Sequence, residues 1–258
     1  SPRRAARAAA SALMKPESMV SERPQPPDTH SPEPAIPQNA PDPMSSTATV
    51  RSAADVVVIV STTGPESLPA VLDDLQAGLL QSGHLIIVAE ENAADLGPAL
   101  AAHRLPKRFS SVRVAHLAGP ISPQRALTAA LEHITDDGIR YAWLLAPGSS
   151  PAPRALAALH ETASRSRSAA IVAPKVRTAQ SPARLLSVGY PLTTAGRWVP
   201  RPRVGESDQG QYDDRSDVLA ASTVGALIDL AVLREVGGHA PRLSRPADAV
   251  AADVDLGW

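Results

Sequence analysis

From residue 54 onward, short runs of β-branched residues alternate with helix-periodic segments, and few architectures accept that rhythm. "DVVVIV" (55–60) is continuous in Val and Ile, as a strand buried on both faces must be. "PESLPAVLDDLQAGLLQSG" follows, with Leu68, Val71, Leu72, Leu75, Leu79 and Leu80 at helical spacing, and predicts a helix stopped at Gly83. "LIIVA" (85–89) reads as strand, "AADLGPALAAH" as a short helix and "VRVAHL" (112–117) as strand. "SPQRALTAALEHI" is a helix with Ser122 as its cap and Pro123 at its first position. "YAWLLA" (141–146) predicts strand, "APRALAALHETASRS" helix and "AAIVAPKV" strand. Strand and helix in repeated alternation predict a mostly parallel sheet covered by helices. Ligands of such sheets bind beyond the carboxyl ends of the strands. That places the expected site among "STTG" (61–64), "EENAAD" (90–95), "AGPISP" (118–123) and "APGSS" (146–150).

On either side of this rhythm the chain changes character. Residues 1–53 begin with a basic, Ala-rich stretch and continue as "PESMVSERPQPPDTHSPEPAIPQNAPDPM". With so few large apolar residues this stretch is expected to be a disordered tail. After about residue 180, "LLSVGYPL" and "GRWVPRP" predict a β-ribbon and "DQGQYDD" a polar loop. "VLAASTVGALIDL" then runs into a helix, "AVLREVGG". The chain ends on "DVDLGW", which reads as a fragment cut from something longer.

Composition removes several functions. Lys and Arg number 25 against 26 Asp and Glu, so nothing draws the chain as a whole to nucleic acid. Cys is absent, which excludes disulfides, thiolate nucleophiles and cysteine metal sites. No dinucleotide fingerprint, phosphate loop or HExxH zinc motif occurs, and the seven histidines form no i,i+4 pair.

The informative part is the last third. "IVAPKVRTAQSPARLLSVGYPLTTAGRWV", "ESDQGQYDDRSDVLAASTVGALI", "LREVGGH" and "DVDLGW" follow in one order. In that order they resemble family 2 glycosyltransferases, in the actinobacterial branch where a nucleotide-sugar-dependent domain opens a large membrane protein. The resemblance spans roughly Ala54 to Trp258 and is specific from Ala170 onward. It implies a GT-A fold: a Rossmann-like α/β half joined to a smaller ribbon-containing acceptor half. It implies inverting transfer of a sugar from a nucleotide diphosphate donor to a cell-envelope glycan or lipid acceptor. It also implies Mg²⁺ or Mn²⁺, and a place at the cytoplasmic face of the plasma membrane. The family's base falls on Asp253, with Asp255 and Trp258 on the acceptor side beside Asp208 and Gln209. Ser61, Thr62, Thr63, Glu90 and Glu91 are the donor-side candidates.

Departures from the family pattern cluster on the chemistry. Where the family sets its metal carboxylates, this chain has Ala146, Pro147 and Gly148; Ser149 and Ser150 are neutral. The nucleotide Asp of the second strand is Ala89, with Glu90 and Glu91 next to it. Ala252 precedes the expected base, "GGHA" (237–240) stands for "GGFD", and Asp229 and Leu230 replace a basic pair. Without the metal pair, the cations available near the site are Arg154, Lys175 and Arg177. Two expectations therefore stand: a sugar transferase acting through Asp253, or a non-catalytic glycosyltransferase-like scaffold or regulatory domain that has lost its donor site.

Overall fold

The computed structural model describes residues 51–105, 108–166, 168–190, 202–203, 205–214, 217–218, 220 and 221–236. The tail up to residue 50, "GRWVP" (196–200) and the whole of "DVDLGW" lie outside the described residues, so Asp253, Asp255 and Trp258 do as well.

Eight strands and five α-helices are described: β1 (Arg51–Thr62), α1 (Leu68–Ala77), β2 (Leu80–Glu90), α2 (Gly97–Ala102), β3 (Ser111–Leu117), α3 (Pro123–Leu131), β4 (Tyr141–Leu145), α4 (Ala155–Arg165), β5 (Ile171–Val172), β6 (Val176–Thr178), β7 (Ser181–Ser187), β8 (Leu227–Asp229) and α5 (Leu230–Glu235). Six strands form one sheet in the order β3-β2-β1-β4-β8-β5. The pairs β1–β2, β1–β4 and β2–β3 are parallel, and β8 alone runs antiparallel to both its neighbours. β6 and β7 form a separate ribbon.

Alternation along the central strands explains the two cores. Val56, Val58 and Val60 of β1 face one side with Leu85 and Ile87 of β2 and Tyr141, Trp143 and Leu145 of β4. Over that face lie Leu68, Val71, Leu72 and Leu75 of α1 and Leu156, Leu159 and Ala163 of α4. Val57, Ile59, Ile86, Val88, Ala142 and Leu144 face the other way, onto Ala126, Leu127 and Ala130 of α3 and Leu230 and Leu233 of α5. The period of two therefore supplies both faces of a sheet that is covered on both sides.

The structure corrects three boundaries. α1 ends at Ala77 with Gly78 as its C-cap, not at Gly83. Leu80 starts β2 instead of closing the helix, because the register pairs it with Arg51 and lengthens both strands. The sheet begins at Arg51, three residues before the hydrophobic pattern becomes visible. The described ribbon pairs β6 with β7, so "LLSVG" finds its partner upstream, at Val176–Thr178. Ser122 caps α3 as expected, its hydroxyl accepting the Arg125 N–H.

Candidate functional site

Parallel β1, β2, β3 and β4 deliver the ends Thr62, Glu90, Leu117 and Leu145 to one edge of the sheet. β5 runs the same way, so Ala173 to Arg177 emerge at that edge too. Antiparallel β8 makes the edge its entry point and brings Ser222 to Ala226 there. That segment is bound tightly: Gly225 N–H donates to Leu144 O at 2.6 Å and Leu144 N–H to Ala226 O at 3.1 Å. Trp143 Nε1–H donates to Gly225 O at 3.0 Å. Gly225 is required here, since its φ is +78° and a Cβ would meet Pro174 at 3.0 Å. The sequence places four of these six segments at the site and names Lys175 and Arg177 of the fifth as nearby cations; it misses the entry to β8, whose three residues, "LID", are too few to reveal a direction.

At the end of β1, Ser61 and Thr62 are buried and Thr63 is exposed. Ser61 Oγ–H donates to Leu145 O at 3.1 Å, joining β1 to β4. Thr62 Oγ1 accepts the Gly64 N–H at 3.1 Å and shares a 2.6 Å hydrogen bond with Ser67 Oγ. These two hydroxyls therefore build the floor and its turn, while Thr63 presents its side chain to solvent.

The half-buried Glu90 carboxylate accepts the Ile121 N–H at 3.0 Å. Arg125 holds the same loop from the other side, donating to Ala118 O at 2.5 Å and to Pro120 O. The β3–α3 loop is thus fastened by Glu90 at the end of β2 and by Arg125 of α3. Glu91 is exposed; its backbone N–H donates to Leu117 O at 2.9 Å.

The turn after β4 is closed by main-chain hydrogen bonding. Gly148 adopts φ +73° with open space around it, and Ser149 N–H closes the turn on Ala146 O at 3.0 Å. Ser150 Oγ donates to Asp74 of α1 at 2.6 Å, which holds this loop against a helix. Among the described residues, no group of three His, Asp or Glu side chains is placed to hold a metal ion.

Charge collects instead on the ribbon side. Lys175, just before β6, and Arg177 within it both reach Asp208. Lys175 Nζ lies 2.8 Å from Oδ1 and Arg177 Nη2 lies 2.8 Å from Oδ2. Lys175 also pairs with Asp213. Asp208 is 8 % exposed, and its Oδ2 makes no hydrogen bond among the described residues besides the Arg177 ion pair. The Lys175 hydrogen bond holds the Asp208 carboxyl below the usual carboxylate range, and Asp208, then Asp213, hold the Lys175 ammonium above its own. Asp208 N–H donates to Ala183 O at 2.7 Å and Leu185 N–H to Glu206 O at 2.9 Å, laying the 206–208 segment beside β7. Gln209 is exposed, its backbone N–H bonded to Gln211 Oε1 at 2.7 Å. Glu206 accepts from Gln211 and Tyr212 at 2.9 Å each and from Arg203 N–H at 2.7 Å, which lowers its pKa, Gln211 first. Lys175 and Arg177 are therefore held by the polar loop. Arg154, exposed at the N-cap of α4, carries no such pairing in the geometry described.

Asp229, one of the departures from the family pattern, is buried and has two structural tasks. Its Oδ1 caps α5 by accepting the Ala231 N–H at 2.9 Å, and its Oδ2 accepts from Arg140 Nε at 3.1 Å.

No family model matches the chain, and no curated protein matches it in sequence. Solved structures do resemble it in shape. TarS of S. aureus superposes with a TM-score of 0.52 at 13 % identity, over 79 % of this chain and 34 % of that one. The TarS 1–349 fragment in complex with UDP-GlcNAc gives 0.51 at 12 % identity, over 78 % of this chain and 54 % of the fragment. The fold is that of GT-A glycosyltransferases. A mannosyltransferase from Pyrobaculum calidifontis aligns over 80 % of this chain and 51 % of its own at 18 % identity, but its TM-score of 0.44 is too low to carry an argument. The chain spans about half of the TarS fragment and a third of TarS. Among the described residues, no helix is long and apolar enough to cross a membrane.

Proposed function

We propose that the chain is a family 2 glycosyltransferase domain. Its reaction is the inverting transfer of a sugar from a nucleoside diphosphate donor to a cell-envelope glycan or lipid, at the cytoplasmic face of the plasma membrane. One observation carries this reading. The ends of β1, β2, β3, β4 and β5 and the entry to antiparallel β8 bring six chain segments to a single sheet edge, in a fold shared with a TarS fragment crystallised with UDP-GlcNAc. In the proposed reaction Asp253 removes the proton of the acceptor hydroxyl, whose oxygen attacks the anomeric carbon. The bond from that carbon to the donor's phosphate oxygen breaks on the opposite face, and the nucleoside diphosphate leaves with the electron pair.

A divalent cation does not fit the described residues. The β4 turn offers backbone and hydroxyl oxygens only, Ser150 is bound to Asp74, and no carboxylate cluster stands in place of the missing pair. No step is therefore routed through a metal. The test is transfer by the full chain from UDP- and dTDP-sugars with EDTA present. Asp253→Asn is expected to abolish transfer and leave the melting temperature unchanged; normal transfer by that variant removes Asp253 from the reaction.

One observation favours the second reading, a non-catalytic scaffold or regulatory domain. Both cations of the β5–β6 stretch are paired with Asp208 and Asp213, and the β4 turn, Ala146 to Ser150, has no charged side chain of its own. Under this reading UDP does not bind the unaltered chain. Acidic residues introduced at Ala146 and Pro147 then create Mn²⁺-dependent nucleotide binding.

A further inference from the structure

α3 stops at Leu131, and the turn segment 132–139 that follows packs Ile134 and Ile139 into the same core cluster as Val57 of β1 and Ile86 of β2. Between sheet and turn lies a cavity of about 240 Å³ at the edge of the sheet opposite the candidate site. Its floor is aliphatic: Val57 of β1 and Ile86 of β2 from the sheet, Ile134 and Ile139 from the turn. Polar groups enter from the rim. His84 is in register with Ser111, and Ile86 with Arg113, so these side chains share one face of the sheet by strand alternation. His133, Thr135 and Asp136 face them from the turn.

The donors at this rim exceed what the protein uses. Arg113 Nη2–H donates to Thr135 Oγ1 at 3.2 Å, which engages one of five guanidinium N–H groups. The rim's single carboxylate, Asp136, is taken up locally: Oδ1 accepts the Gly138 N–H at 2.8 Å and Oδ2 stands 4.0 Å from His84 Nε2. We propose that this cavity is a binding site for a small aliphatic carboxylate, its acid group on Arg113 and its hydrocarbon part on the Val57, Ile86, Ile134 and Ile139 floor. Arg113 is suited to the task because its planar fork matches a carboxylate and is pre-oriented by Thr135. About six residues of β2 separate His84 from Glu90, roughly 20 Å along the strand. A ligand here therefore does not compete with one at the opposite edge, and this site stands whether or not the chain transfers sugar.

The test uses the full chain and follows the ring proton signals of His84 and His133 by NMR as butyrate, butyramide or inorganic phosphate is added. Butyrate is expected to move both rings along one saturating curve, with butyramide and phosphate each binding at least about tenfold more weakly, as loss of a charge-assisted pair or of the apolar contact requires. Arg113→Gln, at an exposed position that leaves both cores intact, is expected to weaken butyrate by about the same factor. Thr135→Ala, which removes only the orienting hydroxyl, is expected to weaken it less. Silence of both rings at saturating butyrate overturns the proposal. So does equal binding of butyramide, equal binding of phosphate, or unaltered butyrate binding in Arg113→Gln.

Discussion

The two halves of the candidate edge treat charge in opposite ways. On the β1–β4 side the groups are hydroxyls and backbone: Ser61 joins β1 to β4, Thr62 braces its own turn, and Ala146 to Ser149 close a turn without a carboxylate. On the ribbon side two cations and two carboxylates meet within one cluster and cancel. A buried neutral hydroxyl with a partner costs little to keep, whereas a mostly buried carboxylate persists only if paired. The neutral half is thus a rigid floor, and the charged half is a fastening for the 205–214 loop. The carboxylates of that cluster, Asp208 and Asp213, are both paired with cations. In the proposed reaction the base is Asp253.

The largest effect expected from this contrast is on transfer. Asp253→Asn is expected to lower turnover by about 10²-fold or more, the contribution typical of a general base, while circular dichroism and melting temperature stay as they are. A fall in both would mean that Asp253 belongs to the fold. Next comes the floor beneath the neutral half. Leu144→Ala empties a fully buried position between α3, α5 and the sheet, and a loss of about 2–5 kcal/mol in urea unfolding is expected. A loss below 1 kcal/mol would show that this face is loosely packed.

The ribbon side is expected to respond to pH. Asp208 binds its proton more weakly in the folded chain than in the unfolded one. Its contribution is therefore complete above the ordinary carboxylate range and is lost as pH falls through its depressed folded value. Lys175 has the opposite sign: its contribution holds below the ordinary lysine range and is lost as pH rises through its elevated value. Limited proteolysis of 205–214 is expected to stay slow from mildly acidic to mildly alkaline pH and to accelerate at both extremes. Asp208→Asn is expected to make the loop labile at neutral pH. Equal cleavage of the two proteins at neutral pH would mean that the charge cluster fastens nothing.

The smallest effect tests the neutral half alone. Ser61→Ala removes one buried hydroxyl that bridges 84 positions of sequence to Leu145 O, and a cost of about 1 kcal/mol is expected. A cost near zero would mean that the main-chain ladder between β1 and β4 is sufficient by itself.

Legibility in the sequence followed the physics of each element. The strands buried on both faces were readable because their apolar runs are continuous, β-branched in β1 and without β-branching in β4, and α3 because Ser122 and Pro123 announce it. β8 was hidden, since three residues carry no direction and its antiparallel entry is set by pairing with β4. Leu79 and Leu80 read as helix because leucine spacing is compatible with either structure. Register with Arg51 decided for strand at Leu80. The partners of Lys175 and Arg177 were equally hidden, because Asp208 lies more than thirty residues away and only the ribbon brings them together. Asp229 looked like a loss from a family pattern and proved to be a helix cap and the partner of Arg140.

The most direct test of the account is calorimetric titration of UDP and dTDP into the full chain, each with Mn²⁺ and again with EDTA. Saturable binding of at least one nucleotide, unchanged by the metal, is the result predicted for a donor edge without metal carboxylates. Absence of binding under all four conditions would contradict the transferase reading and leave the domain a scaffold.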